Sequence, residues 1–197
     1  MEMSGWLRRR RGKAPSTIHL DQIYPYLVPD DYPDALSTRA HSQRRIGHGL
    51  SLALVTPTGP AEAQILAAVD AEAVAGAGID LPTAYRHADG ALSTALSAGQ
   101  IALEFFDRGP AGAPTVVAGG SWLAATTLVA SGLYERMTRF LGDDIVAAVP
   151  HRELMFLFAP QAAPAMAEVV ASEHRDARKP LTTGFFTLNH AGPTPTS

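Results

Sequence analysis

Two apolar runs, Ile145 to Val149 and Leu154 to Phe158, are separated only by Pro150, His151, Arg152 and Glu153. Each is rich in Val, Ile or Phe and too short for a helix, so the pair reads as two buried strands joined at a polar corner. Val146, Val149, Phe156 and Phe158 are expected in the core. Met155 and Leu157 face the other way, so their burial decides whether the sheet is covered on both sides.

The same stretch carries a family likeness. Gly142-Asp143, a short apolar strand, Val149-Pro150, Arg152 and a second apolar strand resemble the C-terminal half of the YtpQ-like proteins, a widespread bacterial family. Ser121 at a helix start, Pro180-Leu181-Thr182 and Phe185-Phe186 extend the resemblance to roughly Ile101 through Leu188. The resemblance implies a bacterial α/β fold and brings no reaction with it.

With 197 residues, 46% of them hydrophobic, the chain can bury one sizeable core, and a single domain over residues 15–190 is the economical reading. The absence of cysteine excludes disulfides, thiolate zinc sites and cysteine nucleophiles. No apolar run reaches the about 18 residues of a spanning helix, and no apolar segment follows the basic N-terminal cluster, so a cytoplasmic protein is expected. The net charge of -3 hides an asymmetry: residues 1–13 carry Arg8, Arg9, Arg10, Arg11 and Lys13 against Glu2 alone. Beside Trp6 and Leu7, this cluster has the ingredients of a weak membrane or nucleic-acid contact. The plainer reading is a disordered basic tail over residues 1–14.

Along the rest of the chain, Ile23 to Pro29 reads as an edge strand or extended arm, and Asp30 to Asp34 as a turn or helix start. Arg39, His41, Arg44, Arg45 and His48 read as a solvated basic loop. Gly49 to Val55 alternates and reads as a half-buried strand, with Leu50, Leu52 and Leu54 on one face. Pro60 opens a helix whose inner stripe is Ile65, Leu66, Val69 and Ala73, ended by Gly76 and Gly78. Leu81 to Ser97 forms a weaker helix that Asp89-Gly90 can divide. Ile101 to Phe106 and Pro114 to Ala118 form a hairpin around Asp107 to Pro110. A long helix runs from Ser121 to Leu141, with Gly132 as a point of fracture and Gly142 as its stop. A helix over Pro164 to Arg175, a strand over Thr183 to Leu188 and a disordered tail over residues 191–197 complete the chain. The fold class is α/β (α+β): one mixed sheet of about five to seven strands with about four helices.

Three groups carry candidate chemistry. Arg152, with His151 as proton carrier, is placed to clamp a carboxylate or phosphate; the competing reading pairs Arg152 with Asp143 or Asp144 and fixes the sheet edge. If the corner stays extended, Arg152 points away from His151 and Glu153. Gly119-Gly120-Ser121 joins a strand to a helix start, so its amides can cradle an anion, or serve only as a turn and cap. His87 and Asp89 form the closest local metal-type pair and lack a third ligand, so no metal or cofactor is expected. Trp122 and Tyr134 are aromatic candidates for a pocket wall.

No complete acid-base, nucleophile or metal constellation can be assembled. The expectation is therefore a non-catalytic binding or regulatory module acting through a protein partner or self-association. The alternative is an anion-binding protein or enzyme with a site at Arg152, His151, Gly119, Gly120 and Ser121. A deep pocket uniting those residues would favour the second reading, and a shallow apolar patch the first.

Overall fold

A computed structural model describes residues 19–30, 44–59 and 65–196. A 3-10 turn over Leu20–Gln22 leads into four strands: β1 (Tyr24–Pro29), β2 (Arg44–Gly47), β3 (Leu50–Thr58) and β4 (Ile65–Ala68). Helices α1 (Ala71–Gly76) and α2 (Leu81–Ser97) follow, then strands β5 (Ala102–Phe106) and β6 (Thr115–Gly119). A 3-10 turn over Ala125–Val129 leads into α3 (Leu133–Leu141), β7 (Ile145–His151), β8 (Leu154–Phe158), α4 (Ala163–Asp176), β9 (Phe185–Asn189) and β10 (Gly192–Pro195). Among the described residues no helix is long and apolar enough to cross a membrane.

Helices and strands are combined as the α+β class requires, and the strands divide between two sheets in which every pairing is antiparallel. The reason lies in the connections. Pairs such as β2–β3, β7–β8 and β9–β10 are joined by two residues, which suffices for a hairpin and not for a parallel crossover. In the smaller sheet β3 is central: β1 lies along one edge, and β2 and then β4 share the other, so Val55 pairs with both Tyr24 and Ala68. The larger sheet runs β10-β9-β7-β8-β6-β5.

The larger sheet is covered on both faces. Val146, Phe156 and Phe158 pack against Met166 and Val170 of α4, while Val149, Met155 and Leu157 join the main core with α2, α3 and the 3-10 turn over Ala125–Val129. β3 is also buried on both faces rather than one: Leu52 and Leu54 meet the helices, and Ala53 and Val55 meet Tyr26 and Trp122. Its alternation looked half-buried because Ser51 and Ala53 are small, yet both are shielded.

Four further expectations are corrected. The helix placed at residue 60 is a strand over Ile65–Ala68, paired with Val55 to Thr58, and its helical part starts only after Asp70, whose carboxylate accepts from the Ala73 N–H at 2.8 Å. Arg44 and Arg45 stand in β2 rather than in a loop. The long helix from Ser121 is a 3-10 turn and a separate α3, broken at Gly132, whose φ of 75° is left-handed. The C-terminal tail is β10 through Pro195: Gly192 to Pro195 pair with β9 in an edge position, where a missing proline N–H costs no ladder bond. By contrast α2 stays whole across Asp89-Gly90, because Ala84, Ala88, Leu92, Ala95 and Leu96 bury one continuous stripe. The basic cluster Arg8 to Lys13, all but Asp30 of the turn or helix start expected over Asp30 to Asp34, Arg39 and His41 lie outside the described residues.

Candidate functional site

The structure brings the sequence-identified candidates to one end of the larger sheet and then divides them. β6 and β7 end on the same side, with Gly119 paired to Leu154 and the Ala125 N–H donating to the Arg152 carbonyl at 3.2 Å. The side chains diverge as strand alternation requires. Arg152, 7% exposed, lies over the Tyr26 ring at 5.0 Å from its centroid and donates from Nη1 to the Tyr26 hydroxyl at 3.0 Å, which ties the larger sheet to β1. Among the described residues neither Asp143 nor Asp144 pairs with it, which corrects the expected partner: both carboxylates sit in the turn before β7, at the opposite end of that strand.

His151 turns the other way, toward α4. Its Nδ1 accepts from the Glu153 N–H at 3.3 Å, and its Nε2 lies 3.8 Å from the Glu173 carboxylate. Ser121 Oγ accepts from the Leu123 N–H at 3.2 Å, so it caps its own turn, and the 3-10 turn that follows is too short to supply a helix N-terminus for an anion. Arg152 and His151 are thus both engaged in holding elements together. Trp122 packs against Tyr24 and Tyr26. Asp89 parts from His87 and accepts from the N–H and hydroxyl of Ser131.

Sequence reasoning missed two features. The first is the edge of the larger sheet formed by β5. Four of its five residues are exposed, including Phe105 at 51% and Phe106 at 39%; Phe105 meets Phe140 of α3 edge to face at 5.3 Å. The opposite edge is closed: β10 carries Pro193 and Pro195, and Pro195 lies directly over Gly47 of β2. An edge that offers unpaired backbone beside large apolar side chains is what proteins normally blunt, and among the described residues one edge is blunted while no strand pairs along the other. The signal was present in Phe105-Phe106 before a turn, on a strand read only as half of a hairpin.

The second is a cleft of about 880 Å³ between the two sheets. Its floor is apolar, with Leu52, Leu128 and Leu188, and its walls carry Arg44, Arg86, Tyr85, Tyr134, Glu135 and His190. Tyr85 donates to the Leu52 carbonyl at 2.8 Å, and burial pushes its phenol up to about 12, against the opposing influence of Arg44. His190 Nδ1 lies 2.8 Å from Glu135, whose carboxyl is held below its usual range first by its own backbone N–H and then by His190. None of the residues at the polar corner lines this cleft. Comparison with known protein families, curated proteins and solved structures found no match.

Proposed function

We propose that the protein is a non-catalytic binding module that takes an extended segment of a partner protein along β5 and acts in regulation through that contact. The observation that carries this reading is the β5 edge itself: a strand with two exposed phenylalanines and no further strand paired along it among the described residues, at one end of a sheet whose other end is closed by prolines. Main-chain hydrogen bonds to such an edge supply affinity, and pockets for alternate side chains supply selectivity. A second copy fits less well. Antiparallel self-pairing centred on Glu104, the middle residue of β5, sets one carboxylate directly opposite its copy, and like charges so placed repel. A partner segment with a basic residue opposite Glu104 and apolar neighbours meets the same edge without that cost. The YtpQ-like resemblance adds a bacterial, cytoplasmic setting to this reading.

Selection of short extended peptides from a displayed library tests it. The selected peptides should carry a basic residue flanked by apolar ones, and the Phe105→Ser/Phe106→Ser protein should bind them about tenfold or more weakly, a loss of about 1.4 kcal/mol. Peptides that bind this variant as well as the original protein, or a library that yields no binder, contradict the proposal.

A further inference from the structure

The cleft between the sheets has its own charge pattern, independent of β5. On α2, Pro82, Tyr85, Arg86 and Asp89 follow the i, i+3, i+4, i+7 spacing of one helical face, and that face lines the cleft while Ala84, Ala88 and Leu92 face the core. Across from it stands Arg44 of β2, its guanidinium over the Tyr85 ring at 5.9 Å from the centroid. The carboxylates of the cleft are already engaged, Asp89 by Ser131 and Glu135 by His190. Among the described residues neither Arg44 nor Arg86 forms an ion pair. Arg86 donates to the Thr83 hydroxyl at 2.7 Å, and Asp80, the carboxylate that senses its charge, accepts from the Thr83 N–H at 2.9 Å. Arg45, the third arginine of the lining, is largely exposed and 4.0 Å from Asp30.

Among the described residues the cleft therefore holds two cations with no carboxylate bound to them, beside an apolar floor and two tyrosine rings, and its volume falls in the range of small-molecule sites. The geometry points to a binding site for a small phosphorylated molecule with a planar or apolar body. Arg44 and Arg86 take its phosphate, and Tyr85, Tyr134, Leu128 and Leu188 take its body. Arginine suits the role because its planar fork offers two parallel donors to phosphate oxygens, where lysine offers a point charge.

The test is titration of the full chain with AMP, adenosine and phenyl phosphate in phosphate-free buffer of low ionic strength, followed by calorimetry and by the amide resonances of the cleft. AMP and phenyl phosphate should shift the amides of Ser131, Gly132 and Asn189 to Gly192, and adenosine should bind about tenfold or more weakly than AMP because it lacks the phosphate. Arg44→Ala/Arg86→Ala should weaken AMP by at least about tenfold with its circular dichroism unchanged, and Arg44→Lys/Arg86→Lys should restore only part of that loss. Arg175→Ala, on α4 at the far face of the larger sheet, should bind as the original protein does. The inference is overturned if neither phosphate compound moves the cleft amides at about 10 mM, if adenosine binds as tightly as AMP, or if Arg175→Ala weakens AMP as much as the paired cleft variant. The amide shifts are read on the unaltered protein, so they decide the matter even if a variant fails to fold.

Discussion

At the residue scale, Arg152 shows why a charged side chain in a polar corner is ambiguous in sequence. Its position after Val149-Pro150 was legible, and strand alternation gave its direction, away from His151. Its partner was not legible, because Tyr26 is 126 residues distant along the chain. The structure makes Arg152 a joint between the two sheets. Replacing it with alanine removes both the stacking on Tyr26 and the 3.0 Å hydrogen bond from a site that is almost fully buried. Arg152→Ala should therefore lower stability by about 1–3 kcal/mol, whereas Asp144→Ala should leave the denaturation midpoint nearly unchanged. Equal losses in the two variants would restore the carboxylate pairing and contradict this assignment.

Tyr85 gives a pH signature at the same scale. Burial raises the phenol from 10.0 to about 12, so the folded chain keeps the neutral form where the unfolded chain has begun to ionise. Its contribution is complete below the unfolded value and is lost as pH climbs toward 12. Denaturant titrations across that window should show stability falling with pH, and Tyr85→Phe should flatten the slope. A slope equally steep in Tyr85→Phe would mean that the ionisation responsible lies elsewhere.

At the element scale, what could be read from the sequence was what local composition determines. The β7–β8 hairpin and the ends of α4 were legible because short apolar runs bounded by breakers admit few alternatives. Ile65, Leu66 and Val69 were misread because their spacing suits a helix, while Ile65 and Leu66 pair with Thr58 and Pro57 and the Val69 N–H donates to the Leu54 carbonyl at 2.9 Å. Asp70 carried the correct start signal, as an acidic residue three positions before a donor it caps. Gly192 to Pro195 were misread because Gly, Pro and Thr suggest a loose tail. The decisive fact is the turn before them, where the Asn189 side chain accepts from the Ala191 N–H at 2.8 Å and aims the chain back along β9. The cleft was legible only in parts, since its walls come from β2, α2, α3 and the β9–β10 turn. Tyr134 was marked as an aromatic candidate, and it does line the cleft.

The β2–β3 turn packs on β9 through a contact that glycine makes possible. The His48 ring meets Phe186 edge to face at 5.0 Å and hydrogen-bonds the Phe185 carbonyl at 2.7 Å, and a Cβ built on Gly184 would stand 2.4 Å from the ring. His48 adopts a φ of 50°, unusual for a residue with a side chain, so this turn is set for the contact. Gly184→Ala should displace the ring and cost about 1–2 kcal/mol. In a His48→Ala background the same change should cost much less. A double-mutant cycle without coupling between the two positions would show that the ring does not rest on Gly184.

At the scale of the whole molecule, the two sheets share one core and differ in how they end. Arg152, His48 and Pro195 join the smaller sheet to the larger one, and β10 closes one margin of the larger sheet. The other margin, β5, has neither a helix nor a second strand paired along it among the described residues, and it carries Phe105 and Phe106 into solvent. That asymmetry is the basis for reading the protein as a module that receives an extended segment. Hydrogen exchange tests it most directly, followed by mass spectrometry on the free protein and on the protein with a selected peptide. Exchange should be fast in β5 of the free protein beside slow exchange in β7 and β8, and slowing on peptide addition should concentrate in Ala102 to Phe106. Protection that appears elsewhere and leaves β5 exchanging at its free rate would contradict it.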